Sequence, residues 1–197
     1  MNLPNKLTLW RIILVPFFVA ALLIPFPLHT IVALVLFIAA SITDMLDGRI
    51  ARKRNLITDF GKFADPLADK ILVLAALLCF VQNGWCDCIA VIIVLFREFT
   101  VTSIRLIAAA KGEVIAANIW GKVKTVTQMV AIITILVFRA AYDIIVPLLP
   151  QLPDSITAGI NQWLFLGGET LIWISTVFAI ISGVIYVKQN YHFISEK

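Results

Sequence analysis

Charge is scarce in this sequence. Asp, Glu, Lys and Arg supply 14% of its 197 residues, against about 25% in soluble globular domains, while 61% are hydrophobic and the mean hydropathy is +0.98. That shortage excludes an ordinary water-solvated surface and makes a bilayer the expected solvent. Histidine occurs twice, at His29 and His192, and cysteine three times, at Cys79, Cys86 and Cys88. The histidines are remote in sequence and Cys86-x-Cys88 is too close for the C-x-x-C pattern, so neither a zinc site nor a dithiol redox centre is expected. The cysteines read as packing or loop residues. No soluble basic domain exists either, so the net charge of +4 points to anionic headgroups or a phosphorylated substrate and not to nucleic acid. The opening MNLPNKLTLWR runs into apolar sequence carrying Pro16, Pro25 and Pro27 without a small-residue cleavage site, which predicts an uncleaved first span led by a short interfacial segment.

What is present instead is a series of long apolar runs. A membrane helix needs about 20 mostly apolar residues, and six stretches qualify, near 9–28, 31–50, 63–83, 88–110, 123–147 and 168–188. They predict an all-α fold, a single domain over 1–197 built as an integral membrane bundle of six transmembrane helices. Basic residues gather on alternate connections: Lys6 and Arg11, then Arg49, Arg52, Lys53, Arg54 and Lys62, then Lys111, Lys122 and Lys124, then Lys188 and Lys197. The turn around Gln82 to Asp87 has none, and the stretch 139–167 only Arg139. By the positive-inside rule both termini and the basic connections face the cytoplasm. The segment PLLPQLPDSITAGINQWLFLGG then joins spans five and six on the far side, with no catalytic role expected.

Acidic residues are concentrated where an apolar chain tolerates them least. Of the twelve, five fall between Asp44 and Asp69. Asp44 and Asp47 stand three apart at the end of the second span, on one helix face. The apolar run ILVLAALLCFV begins only at Ile71, so the third span must extend back through Asp69 and Asp65, again on one face. Pro66 either sits at the first helical position with Asp65 as cap or kinks a longer helix. Four carboxylates at the membrane boundary raise the insertion cost, and something cationic must offset it. Oxygen-only donors suit a hard cation, Mg²⁺ or Mn²⁺; pairing with Arg49, Arg52, Lys62 or Lys70 is the alternative.

Written out, the stretch is Asp44-x-x-Asp47-Gly48-x-x-Ala51-Arg52, eight residues, then Gly61-x-x-x-Asp65-x-x-x-Asp69. It resembles, at every fixed position, the signature of the CDP-alcohol phosphotransferases. The resemblance implies a six-helix membrane enzyme, usually a homodimer, in the bacterial cytoplasmic membrane, with its active site on the cytoplasmic side. It implies two divalent ions held by Asp44, Asp47, Asp65 and Asp69, the last doubling as ligand or general base near the acceptor. Gly48, Ala51, Arg52 and Gly61 become CDP-lipid contacts, the glycines by letting a nucleotide approach backbone and Arg52 by a charge-assisted contact to phosphate. Close helix packing is the other use of such glycines.

The acceptor is read from a second basic region, Arg97 to Met129. Arg97 and Arg105 are about two helical turns apart and interrupt an apolar span, and Lys122 and Lys124 follow Gly121 with Gln128 one turn on. Arg11 lies on a face with Asn5 and Thr8. A phosphate monoester held by Arg105, Lys122, Lys124, Arg97 and Arg11 would satisfy these cations; ordinary interfacial anchoring is the alternative. REF, a second Arg and GKVKT with Gln resemble the branch of the family that passes a phosphatidyl group from CDP-diacylglycerol to glycerol 3-phosphate. Two rivals stay open: a family member using phosphatidylglycerol as acceptor, making cardiolipin, and a cation transporter, whose acids should instead be spread through the membrane depth.

Overall fold

The computed structural model describes residues 3–54, 59–113, 115 and 118–193, with side chains for all of these except 3–7, 44–54, 59–67 and 69. The described residues form α1 (Leu3–Leu23), α2 (His29–Arg54), α3 (Asp59–Gln82), α4 (Cys88–Ala110), α5 (Ile119–Leu148) and α6 (Asp154–Gln189), closed by a 3-10 turn at Tyr191–Phe193. No strand occurs among them. The all-α expectation holds.

Local chemistry sets the helix ends. α1 stops at Leu23 because Pro25 and Pro27 cannot continue it, and the chain reverses through Leu28 at φ 62°. α3 closes on Gly84 at φ 66°, where only glycine is unstrained, with the Trp85 amide donating to the Phe80 carbonyl at 2.8 Å. α4 ends the same way on Gly112 at φ 79°, the Glu113 amide reaching back to Ala108 at 2.9 Å. The Asn118 side chain caps α5 by accepting from the Trp120 amide at 3.1 Å.

Three boundaries differ from the sequence reading. α1 runs unbroken from Leu3, so no break separates an interfacial segment from the first span. α3 begins earlier than expected, at Asp59, which puts Pro66 inside a longer helix, the second of the two placements left open by the sequence, and Asp65 away from the cap. The expected far-side connection is largely helix: α6 starts at Asp154, straight after Pro153, and passes through Gly159, Gly167 and Gly168. Glycines read as breakers in water are tolerated in an apolar surround. At Gly168 the fit is tight, since a Cβ there would stand 3.3 Å from the Trp85 carbonyl oxygen and one of the two would have to give by a few tenths of an ångström.

α5 and α6, 30 and 36 residues long, are long and apolar enough to cross a membrane by length and composition, about 45 and 54 Å against a hydrocarbon core of about 30 Å. Shorter apolar stretches, Thr8–Leu23, His29–Thr43 and Lys70–Gln82, lie in α1, α2 and α3. In α4 the apolar run is interrupted by Arg97, Glu98 and Arg105.

α1 packs against both α2 and α3, α2 against α5, α5 against α6, and α6 against α4. The core holds Phe18, Phe37, Leu77, Phe80, Ile132, Leu136 and Ile172. Fully buried alanines, Ala33, Ala40, Ala76 and Ala90 among them, let helices approach closely, as membrane packing requires. The outer surface is apolar too: Phe96 and Trp163 are each 75% exposed. Water would penalise such a surface, and hydrocarbon would not.

The end of the bundle remote from Asp44 and Asp69 is tied by polar contacts. Thr30 donates to Asp143 at 2.6 Å, His29 Nδ1 lies 3.1 Å from the Ala21 carbonyl, and Asn83 donates to the Leu22 carbonyl at 3.2 Å. Arg139 is a buried residue of α5, stacked 4.9 Å from the Trp85 ring centroid and donating to Asn161 at 3.0 Å. Glu169 accepts from the Asp87 amide and from Trp173, each at 2.7 Å. Burial first, then the nearby Glu169 and Asp87 carboxylates and Cys88, push the Cys86 thiol up to about 12.

Candidate active site

The helices alternate in direction, so the start of α1, the end of α2, the start of α3, the end of α4, the start of α5 and the end of α6 share one end of the bundle. The signature lies there. Asp44 and Asp47 are on the closing turns of α2, and Asp65 and Asp69 on the opening half of α3, with only residues 55–58 between the helices. The side chains of Asp44, Asp47, Gly48, Ala51, Arg52, Gly61, Asp65 and Asp69 lie outside the described residues. Backbone register alone places each acid pair on one face within about a turn, three apart on α2 and four apart on α3. The donor set is carboxylate only, which fits a hard divalent cation. Among the described residues no other group of three His, Cys, Asp or Glu gathers to hold one.

Beside these helix ends is a cavity of about 390 Å³. Its wall draws on five helices: Arg11 from α1, Ser41 from α2, Ala68 and Lys70 from α3, Glu98 from α4, and Lys124 and Gln128 from α5. Ser41 precedes Asp44 by three residues and Ala68 adjoins Asp69, so the cavity meets the signature on both helices. Arg11 is 2% exposed and Lys124 5%, so each presents its charge within the bundle. Lys70 donates to Thr102 of α4.

Glu98 organises the cationic side of this cavity. Its Oε1 accepts from Lys124 Nζ at 2.6 Å and from Arg97 Nη1 at 2.7 Å, joining α4 to α5. Arg97 Nη2 in turn donates to Ser182 of α6 at 2.6 Å. The Arg97 side chain passes over Gly183, where a Cβ would stand 2.9 Å from its Cγ. Glycine is required there for a steric reason: any larger residue displaces Arg97.

Of the five cations read as acceptor contacts, Arg11 and Lys124 line the cavity. Arg97 lies one carboxylate away, through Glu98. Arg105 is exposed, donates to the Tyr186 hydroxyl at 3.2 Å and lies 5.6 Å from that ring's centroid; Lys122 is exposed. Neither lines the cavity. Sequence reasoning gave Glu98, the single acid in α4, no role at the site, although an acid inside an apolar span is itself a signal of a buried pair. Lys70, read there only as an alternative ion-pair partner for the signature acids, and Gln128, read only as part of the branch pattern, are further wall residues.

A second, largely apolar groove of about 700 Å³ runs between α5 and α6, lined by Phe138, Trp163 and Leu171 among others, with Thr134 and Thr170 its polar residues. It carries no ionisable side chain and no part of the signature.

The model of the family described as CDP-alcohol phosphatidyltransferase matches residues 1–181. A Bacillus subtilis (strain 168) protein named CDP-diacylglycerol–glycerol-3-phosphate 3-phosphatidyltransferase is 39% identical over 96% of this chain and 95% of its own length. Proteins of the same name from Rickettsia bellii (strain RML369-C) and Haemophilus influenzae (strain ATCC 51907 / DSM 11121 / KW20 / Rd) are 35% identical over 95% of this chain and 94% of the relative, and 42% identical over 66% and 73%. With the family model spanning nearly the whole chain and the signature intact at the ends of α2 and α3, the protein belongs to the CDP-alcohol phosphatidyltransferase family.

Proposed function

We propose that this protein transfers the phosphatidyl group of CDP-diacylglycerol to glycerol 3-phosphate, giving phosphatidylglycerophosphate and CMP. The observation that carries the reading is the cavity holding Arg11, Lys70, Lys124 and Gln128 directly beside the helix ends that bear Asp44, Asp47, Asp65 and Asp69. Basic side chains there suit a compact phosphate monoester, and the names of the relatives agree. All six helices span the bilayer of a bacterial cell membrane in this reading, the signature end and both termini face the cytoplasm, and the enzyme works as a homodimer.

Asp44, Asp47, Asp65 and Asp69 hold two divalent ions, Mg²⁺ or Mn²⁺. Such ions, when bound, withdraw charge from the phosphorus under attack and stabilise the departing phosphate. Gly48 and Gly61 admit the nucleotide to the helix backbone, Ala51 keeps that face small, and Arg52 contacts its phosphate. Lys124 and Arg11 orient the acceptor phosphate, Arg97 acting through Glu98; Arg105 and Lys122, exposed at the same end, draw the anionic acceptor in. Asp69 takes the proton from the primary hydroxyl of glycerol 3-phosphate. That oxygen bonds to the phosphorus next to diacylglycerol, the bond from this phosphorus to the CMP oxygen breaks, and CMP leaves with the electron pair.

CMP release from purified protein in lipid–detergent micelles tests this. Glycerol 3-phosphate should support release and phosphatidylglycerol should not; the reverse identifies a cardiolipin-forming enzyme. EDTA should abolish release and Mg²⁺ or Mn²⁺ restore it. Undiminished release from folded Asp47→Asn protein sinks the metal assignment.

A further inference from the structure

Gln128 is 2% exposed, and its Nε2 has no hydrogen-bond partner among the described residues. A buried donor left unmade carries its full desolvation penalty, more so in a low dielectric. Packing does not require this residue to be polar: its neighbours on α5 include Ala131 and Ile132 of the core, and leucine would fill a similar volume. Gln128 instead forms part of the wall of the cavity that holds Lys124, Arg11 and Lys70. It stands one helical turn from Lys124, about 6 Å further along α5, on the same face.

We propose that Gln128 is a specificity residue that reads the secondary hydroxyl of the acceptor. This rests on glycerol 3-phosphate being that acceptor. The cations of the cavity wall suit its phosphate, and its primary hydroxyl is the attacking group. What remains is the secondary hydroxyl on the middle carbon, adjacent to the phosphoester carbon and so within a helical turn of a phosphate held at Lys124. A neutral amide matches it, since a hydroxyl both donates and accepts and a primary amide does the same. A site built to hydrogen-bond a hydroxyl discriminates against the analogue that lacks it, because the buried amide is then left unpaired.

The test compares glycerol 3-phosphate with 3-hydroxypropyl phosphate, which keeps the phosphate and the primary hydroxyl but lacks the secondary one. CMP release is measured over a range of each acceptor with full-length wild type and Gln128→Leu. Wild type should favour glycerol 3-phosphate by about tenfold or more in kcat/KM. Gln128→Leu should raise KM for glycerol 3-phosphate by about tenfold with kcat retained, leave the analogue unchanged, and so erase the preference. A Gln128→Leu enzyme that keeps the preference, or loses activity equally on both acceptors, overturns the role of Gln128. Absence of CMP release by wild type with glycerol 3-phosphate overturns the acceptor assignment and this role with it. Gln128→Met gives the same comparison if Gln128→Leu does not accumulate.

Discussion

Replacing Glu98 by Gln keeps the side chain's shape and removes the charge between Lys124 and Arg97. The two cations approach its Oε1 at 2.6 and 2.7 Å, with side chains only 7% and 11% exposed. At an effective dielectric constant near 20, each contact is worth about 6 kcal/mol of Coulomb energy before desolvation is subtracted. Removing one partner of a buried pair costs about 3–5 kcal/mol, because the charge left behind is uncompensated. The glutamine oxygen still accepts one hydrogen bond, so the lower end, about 3 kcal/mol, is expected. Thermal unfolding in detergent should report the loss as a midpoint lower by roughly 6 °C or more. Lys124, its ion pair with Glu98 weakened, should shift at the cavity wall, misplace the acceptor and lower kcat/KM for glycerol 3-phosphate by about a hundredfold. An unchanged midpoint would refute the energetic argument. A lowered midpoint with unchanged kinetics would show that Lys124 does not touch the acceptor.

Gly183→Ala places a methyl 2.9 Å from Arg97 Cγ; it should cost about 1–3 kcal/mol in thermal unfolding and lower CMP release, whereas Gly159→Ala, with open space at its Cβ, should change neither. Arg139→Met breaks the contacts to Trp85 and Asn161 far from the signature, so the unfolding midpoint should fall while KM for glycerol 3-phosphate stays at the wild-type value. Cys88 is exposed and Cys86 buried with its thiol pKa raised to about 12, so Cys86 stays protonated through pH 9. A membrane-impermeant maleimide applied outside intact cells should therefore label Cys88 and spare Cys86; labelling only after the membrane is opened would reverse the orientation proposed for the bundle.

Membrane residence and helical class follow from the apolar composition, since backbone in hydrocarbon must bond within its own segment. The signature was legible because its spacing is local: residues three and four apart meet on one helix face whatever the tertiary fold. The short apolar run after Ile71 likewise forced α3 back through Asp69 and Asp65, as the structure shows. Helix boundaries were less legible where glycine and proline mislead. Gly167 and Gly168 read as a connection, yet α6 carries them because hydrocarbon offers the freed backbone no alternative partner; a Cβ at Gly168 would crowd the Trp85 carbonyl oxygen.

The basic residues of α4 and α5 were visible in the sequence as a group, but not how they divide. Arg97, Arg105, Lys122 and Lys124 have similar spacing and chemistry, so only the packing of α4 against α6, with Glu98 reaching Lys124 of α5, could separate them. That packing turns Lys124 and Arg97 onto Glu98 and leaves Arg105 on Tyr186 and Lys122 exposed. Glu98 and Lys124 are 26 residues apart, and no local periodicity links them. A contact of that kind exists only once burial has made two opposite charges each other's best substitute for water.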